Sequence, residues 1–382
     1  MTEQHATHQN PSRVLVIGGY GNFGAYIVNQ LAGDPNIQLI IAGRNPEKAE
    51  ALARRTKAIH PPIPAKLDIT DGLTRRLQEL KPDIAIHTTG PFQGQGYDVA
   101  RACIAAGCHY IDLADGREFV VNFGAQLDDV ARDANVLACT GASTLPALSS
   151  AIIDTHLPRF QTLESIDYAI ATAQKTNRGL ATTRAVLSYA GNAFTRLKQG
   201  RLQPVHGWLE PRRLPFWQLG PRRLGNCDVP DFTLFPTRYP SLKDIRFQAG
   251  LELQLLQIIL FWLARARRMR LLPNLQRIAR PLLAISRIFD PLGSDDSGFF
   301  MTLSGTDKGA QPLSVRYDIR AWQADGLNIP IIPAILMARK LAAGELDKRG
   351  AIPCMDFISL VEFEQEMAKL NIRFQTTIDG PG

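Results

Sequence analysis

Val14-Leu15-Val16-Ile17-Gly18-Gly19-Tyr20-Gly21-Asn22-Phe23-Gly24 is the stretch whose reading decides the fold. A short aliphatic run ends at once in glycines at 18, 19, 21 and 24, and Ala25-Tyr26-Ile27-Val28-Asn29-Gln30-Leu31 continues with helical apolar spacing. Strand, glycine turn and helix in that order are what a dinucleotide site requires. One glycine makes the tight turn, a second lets backbone approach the pyrophosphate, and a third lets the helix pack close on the strand. The pyrophosphate then rests on N–H groups at the positive end of the helix. A plain strand-to-helix turn is the competing reading, and the context of the glycines favours the nucleotide site. Gly18, Gly19, Tyr20, Gly21, Asn22, Phe23 and Gly24 are the first candidate cofactor contacts.

A second signal follows roughly twenty residues further on, where the ribose of the cofactor is read. Ile37-Gln38-Leu39-Ile40-Ile41-Ala42-Gly43 reads as the next buried strand, and it ends in Arg44-Asn45. An NAD site places an acid there for the 2′-hydroxyl. Arg44 instead offers a permanently charged planar fork that suits a 2′-phosphate, which favours NADP over NAD. The bland reading makes Arg44 a solvent-facing loop residue before a helix at 46–55. Asp68, ending Ala65-Lys66-Leu67-Asp68, faces either the adenine side or open solvent.

From 12 to about 155 short apolar runs alternate with helical stretches, as in a parallel sheet with crossover helices. Strands are expected at 83–88, 109–113 and 136–139, with helices at 97–106, 119–134 and 146–156. Ligands in such sheets bind beyond the carboxyl ends of the strands. After Leu163 the texture changes. A strand at 163–172, a helix at 182–193, two antiparallel strands at 301–304 and 314–319, and helices at 332–344 and 360–370 indicate an α+β unit on a mixed or antiparallel sheet. The expected fold is α/β: a Rossmann-type doubly wound parallel sheet with that second domain. Its divisions are a disordered tail at 1–11, an NADP-binding domain at 12–155, a substrate or interaction domain at 156–331, and C-terminal helices at 332–382 packing back on the first domain.

The chain of 382 residues is too long for one ordinary core. Its hydrophobic and charged fractions, 45% and 21%, are those of a globular protein. Five cysteines without paired spacing argue against a disulfide framework and a metal cluster, and read as reduced buried thiols of a cytosolic protein. The polar N-terminal stretch lacks the apolar core of a signal peptide. Net charge is +7, but residues 196–287 hold 17 Lys and Arg against 5 Asp and Glu. Anionic lipid, an acidic substrate or the cofactor phosphates, or a merely solvated face would each account for that excess. Nucleic acid is disfavoured, because no nucleic-acid-binding signature accompanies the charge.

The quoted glycine turn, Ala42-Gly-Arg-Asn45, Thr89-Gly-Pro-Phe92 and Ala106-Gly-Cys-His-Tyr-Ile-Asp-Leu113 together resemble the saccharopine dehydrogenase-like NADP-binding proteins over about residues 12–155. The resemblance implies the Rossmann fold, NADP(H) as cofactor and an oxidoreductase activity. Relatives reduce amino-acid imines or, on the lipid side, enoyl groups. The second domain departs from the amino-acid enzymes, and its long apolar stretch is closer to the lipid-side or uncharacterised bacterial-type relatives. The implied function is hydride transfer to an acyl or imine substrate in the inter-domain cleft. The alternative is a non-catalytic NADP(H)-binding accessory or sensor at a membrane.

Hydride transfer is the cofactor's chemistry; the protein orients the ring, excludes water and manages a proton. Thr88, Thr89, Gly90, Pro91 and Phe92 follow the fourth strand, where they can support the nicotinamide ribose or simply end the strand in a Gly-Pro turn. Tyr110, Asp112 and Asp115 are the candidate catalytic residues; with Arg117 they surround the next strand end, holding substrate or forming a structural ion pair. Ser143 and Thr144 precede a helix and read best as an N-cap. The seven histidines show no metal-ligand spacing, so no metal is expected. A Tyr-x-x-x-Lys pair and a Gly-x-Ser-x-Gly elbow are absent. The proton donor stays open among Tyr110, Lys175, Arg178 and Arg184.

Residues 251–271 carry an apolar run at 258–264 that is shorter than the twenty or so residues a bilayer span takes. Trp262 lies within it, and Arg265, Arg267, Arg268 and Arg270 follow. This suits interfacial insertion at an anionic membrane through Leu255, Ile259, Trp262 and Leu263, which places a cytoplasmic protein at the inner face of a membrane. A homodimer contact, the wall of a substrate tunnel and an ordinary core helix are the competing readings.

Overall fold

Near-continuous aliphatic runs can only be strands covered on both faces, and they build the first sheet. The computed structural model describes residues 10–176 and 179–380. β1 (Ser12–Ile17) runs through the glycine turn into α1 (Asn22–Leu31), followed by β2 (Ile37–Gly43) and α2 (Pro46–Arg55). Then come β3 (Ile63–Lys66), α3 (Leu73–Leu80), β4 (Ile84–His87), α4 (Asp98–Ala105), β5 (His109–Asp112), α5 (Arg117–Asp133), β6 (Leu137–Thr140) and α6 (Ser149–His156). Val14 to Ile17 and Leu39 to Ala42 are essentially without solvent exposure, with helices on either side. α2 starts where it does because Pro46 fits the first turn and the Asn45 side chain accepts from Lys48 N at 3.0 Å.

A second sheet follows. β7 (Phe160–Thr172), α7 (Leu180–Ser188), a hairpin of β8 (Ala193–Lys198) and β9 (Arg201–His206), β10 (Arg212–Phe216), β11 (Gly220–Asn226), α8 (Asp231–Arg238) and β12 (Asp244–Leu251) come first. α9 (Gln254–Arg268), α10 (Ala279–Ile288), β13 (Ser297–Asp307) and β14 (Pro312–Ala321) complete this unit. The tail supplies α11 (Ile332–Ala342), β15 (Gly350–Pro353), α12 (Leu360–Met367) and β16 (Ile372–Asp379).

The first sheet has the order β15-β6-β5-β4-β1-β2-β3, and every neighbouring pair is parallel. Strand order reverses between β1 and β4, so a crevice opens above their carboxyl ends. The second sheet has the order β10-β11-β12-β7-β13-β14-β16 and is mixed, because β7 runs parallel to β12 and antiparallel to β13. The protein is therefore α/β, a doubly wound parallel sheet joined to an α+β unit.

Two expectations need correction. The tail was expected to return as helices packing back on the first domain, and α11 does pack on α1, β4 and β5, but the tail also adds strands. β15 extends the first sheet beside β6, and β16 extends the second beside β14. Both are edge additions whose partners lie outside the tail, about two hundred residues back for β15 and more than fifty for β16, so no local pattern announces them. The helix expected at 146–156 begins at Ser149, after a π-type turn over Thr144–Leu148 that contains the cis Leu145–Pro146 bond. Of the expected tail at 1–11, residues 1–9, with His5 and His8, lie outside the described residues, as does Arg178.

The basic excess of 196–287 has a structural component. Arg212 grips both oxygens of Asp167 at 2.6 and 2.7 Å, and Arg238 bridges Asp154 and Asp356. Those acids lie outside the segment, so separation along the chain becomes pairing in space.

Candidate functional site

The carboxyl ends of β1 and β4 open into a cavity of about 900 Å³ whose far side is the second sheet. Its cofactor half is made mostly of backbone. Gly18 sits at φ 81°, where a side chain would be strained, and an added Cβ would lie 2.7 Å from Thr89 and 2.8 Å from Thr88. At Gly24 a Cβ would lie 2.2 Å from the Gly18 carbonyl oxygen, so α1 can approach β1 only with glycine there. α1 begins with no side-chain cap and no acid in its first turn, which leaves its positive end for an anion. A cradle shaped this closely by missing side chains fits a dinucleotide pyrophosphate.

Gly18, Tyr20, Gly21, Asn22 and Phe23 line the cavity, whereas Gly19 and Gly24 lie behind it and serve packing. Tyr20 ties the glycine turn to the next strand end, since its hydroxyl accepts from Asn45 N at 2.7 Å. Arg44 lines the cavity, is exposed, and forms no salt bridge with any described residue. Asn45 does not line it; its side chain is spent capping α2. Asp68 lines the cavity with Arg44, and Thr70 holds its carboxylate below the usual range by donating from both N and Oγ1.

Thr88, Thr89, Gly90, Pro91 and Phe92 all line the cavity. The Thr88 hydroxyl donates to Ile17 O at 2.9 Å, and Gln95 Nε2 braces the carbonyls of Thr89 and Pro91. Behind this loop His87 is buried and neutral, its pKa pushed down to about 3 by desolvation. Its ring bridges Thr89 Oγ1 at 2.6 Å and the Tyr110 hydroxyl at 2.8 Å, and packs edge-on against Phe92.

The three catalytic candidates separate. Tyr110 is fully buried under the loop and does not reach the cavity. Asp112 is also withdrawn, accepting from Thr140 Oγ1 and from the backbone of Gly141 and Ala114 at 2.8–3.0 Å. It fastens the ends of β5 and β6, and burial pushes its pKa up to about 6. Asp115 does line the cavity. It is open to cavity solvent yet ringed by protein, so desolvation raises its pKa, and Gln93 Nε2 donates to it at 3.0 Å.

Ser143 and Thr144 line the cavity, and the Ser143 side chain makes no capping hydrogen bond, so the N-cap reading fails. Lys175 and Arg184 do not line it. Arg117 turns from the first sheet to the second, pairing with Asp228 at 3.1 Å and donating to Thr233 Oγ1 and Thr195 O. Asp228 and Tyr189, which also line the cavity, were missed. Asp228 follows β11 with no motif around it, and its partner Arg117 is 111 residues earlier, so only the fold reveals the pair. Among the described residues no group of three or more His, Cys, Asp or Glu side chains could hold a metal ion.

α9 packs Leu256, Leu260 and Ala264 inward. Leu255, Ile258, Ile259 and Trp262 face out, with Trp262 59% exposed, whereas Leu263 is half-buried. No residue of α9 lines the cavity, which removes the tunnel reading. Among the described residues no helix is long and apolar enough to cross a membrane.

Comparison with known proteins agrees with this geometry. Residues 14–156 match the saccharopine dehydrogenase NADP binding domain family. The part of the chain that carries the glycine turn is thus a saccharopine dehydrogenase-like NADP-binding domain, with NADP(H) as its cofactor. No curated protein sequence matches the chain. Among solved structures, saccharopine dehydrogenase (L-Glu forming) from Saccharomyces cerevisiae overlays with a TM-score of 0.65 at 12% identity, over 96% of this chain and 100% of that one. An engineered D-amino acid dehydrogenase bound to NADP+ overlays with a TM-score of 0.47 at 12% identity, over 92% and 96% respectively, too loosely to argue from. The first overlay extends the shared fold through both sheets.

Proposed function

We propose that the protein is an NADP(H)-dependent oxidoreductase acting on a small molecule held between the two sheets. The observation that carries this reading is the continuous cavity running from the glycine turn to the second sheet past Asp115, a carboxyl held by Gln93 and without an ion-pair partner among the described residues. NADPH, when bound, supplies the hydride. The positive end of α1 would hold its pyrophosphate, Arg44 its 2′-phosphate, and the braced loop at 88–92 the nicotinamide ribose. Asp115 stays protonated to higher pH than an ordinary aspartate because of its surroundings. It can therefore give a proton to the substrate atom that gains charge as the neighbouring carbon receives hydride. The Arg117–Asp228 pair fastens the second unit over the site.

The test is NADPH oxidation with carbonyl, imine and enoyl compounds, repeated with Asp115→Asn. The variant should lose about 10²–10⁴-fold in kcat while its NADPH Kd stays unchanged. Wild-type kcat in the variant would remove Asp115 from proton transfer. NADPH binding without turnover of any compound class would instead favour a non-catalytic NADP(H)-binding accessory or sensor.

We further propose that α9 docks on an anionic membrane surface. Ile285, Ile288 and Leu292 of the α10 region are likewise more than half exposed. Arg265 stacks over Trp262, which places cationic and apolar groups side by side. Burial contributes about 25 cal/mol per Å², and each basic residue near anionic lipid about 1 kcal/mol. Phosphatidylserine vesicles should sediment the protein, less so at high salt, and not with the double variant Ile259→Asp, Trp262→Asp. Indifference to vesicles together with a dimer that the same double variant dissociates would assign the face to a homodimer.

A further inference from the structure

The substrate half of the cavity is the row of side chains that the second sheet turns toward the cofactor. Ala249 on β12 stands beside Ile170 on β7, which stands beside Phe299 on β13. Phe247, two residues before Ala249, joins the same face by the alternation of the strand. Leu180 and Val229 close the sides. This row is apolar, and the carboxyl groups beside it are Asp115, whose proton is held to higher pH, and Asp228, which Arg117 already pairs. Arg117, the guanidinium nearest them, already donates to Asp228, Thr233 and Thr195, so it has little left for a ligand. Among the described lining residues the cation is Arg44, on the cofactor side. A carboxylate placed in the substrate half would lose its water, find no guanidinium to accept it, and face two acids.

The wall is also closed from behind. Thr172, Ala173, Thr176 and Leu180 line the cavity. Between them, Gln174 N donates to Glu252 Oε2 at 2.8 Å and Gln174 Nε2 to Ser286 O at 2.8 Å. The same stretch that bounds the substrate half is thus bolted to the start of α9 and the end of α10, the two helices with exposed apolar faces.

We infer that the substrate is an uncharged molecule with a long aliphatic part, and not a free amino acid or other carboxylate. The inference rests on the reading of this cavity as the site of reduction. The polar reacting group lies by Asp115 and the aliphatic part lies along Ala249, Ile170 and Phe299.

The experiment uses the full chain and reads cofactor and substrate halves separately. NADPH is titrated first by its fluorescence; a failure there removes the cofactor reading and leaves the apolar half to be judged by itself. Decan-1-ol, decanoate, L-glutamate and L-lysine are then titrated calorimetrically, with and without NADPH. Decan-1-ol should bind, decanoate at least about tenfold more weakly, and the amino acids not measurably. Ala249→Trp, which fills the row, should abolish decan-1-ol binding and leave the NADPH Kd unchanged. Because a bulky residue can disturb folding, Asp115→Asn is the second variant: measured above the pH at which Asp115 loses its proton, it should raise decanoate affinity toward that of the alcohol. The inference is overturned if the alcohol does not bind, if either amino acid binds more tightly than the alcohol, or if decanoate is indifferent to Asp115→Asn.

Discussion

The two halves of the cavity are made in opposite ways. The cofactor half is a local object: a strand, a turn and a helix contiguous in sequence, shaped by what its glycines lack. The substrate half is assembled from β7, α7, the loop after β11, β12 and β13, which bring residues from widely separated stretches. A local object is rigid because its backbone has nowhere else to go. An assembled one depends on pairs such as Arg117 with Asp228 and Asp231 with Tyr168, which form only when distant elements meet. The first should therefore fail through sterics, the second through electrostatics.

The steric side gives the largest expected effect. Gly21 and Gly24 look alike in sequence but differ in space. A Cβ at Gly21 meets only the Gly18 carbonyl oxygen, at 3.0 Å, and Gly21 lines the cavity where cofactor would lie; one at Gly24 also meets Gly19 and forces α1 away. Gly21→Val should keep its stability and lose NADPH binding beyond detection. Gly24→Val should lose binding and also about 1–3 kcal/mol of stability, or somewhat more. Denaturant titration beside fluorescence titration separates them, and equal stability in the two variants would break the distinction.

That contrast also explains what could be read in advance. The alternation of aliphatic strands and helices, the glycine turn, Arg44 and the loop at 88–92 carry their meaning within a few residues of one another, and they stand in the structure around one cavity. Tyr110 and Asp112 have the right chemistry and the right strand, yet both point into the protein. Sequence gives the strand end but not the side of the loop that its residues face. Asp228 was invisible because its significance lies in Arg117 and in the fold that joins them. α9 stood between these cases: its periodicity marks an amphipathic helix, but only packing separates the outward Ile259 from the half-buried Leu263.

The electrostatic side is tested at Asp231, on α8, whose carboxylate accepts from Ser149 of α6 at 2.7 Å and Tyr168 of β7 at 2.8 Å. Desolvation pushes its pKa up to about 7, while its Oδ1 is buried without a partner. The native state thus keeps a proton that the unfolded chain releases near pH 4. This group's contribution falls as pH rises from about 4 to about 7, by about 4 kcal/mol in all. Asp231→Asn has no such proton to lose. Its stability relative to the wild type should improve steadily over that range in denaturant titrations, and a pH-independent difference would show that Asp231 is ionised throughout.

The smallest effects test whether neighbours within the local half have separate jobs. Arg44 faces the cavity without an ion-pair partner, and Asn45 caps α2. Arg44→Asp removes a charge-assisted contact with the 2′-phosphate and adds repulsion. NADPH should bind about 10–100-fold more weakly, a loss of about 1.5–3 kcal/mol, with preference moving toward NADH. Asn45→Ala should leave both cofactor affinities alone and cost about 1 kcal/mol of stability through the lost cap. Together they decide how finely the local half is divided. If Asn45→Ala weakens NADPH as much as NADH, the cap works by holding the whole turn that Tyr20 fastens to it. If it weakens NADPH alone, its effect runs through Arg44, and the two adjacent residues act as one phosphate clamp.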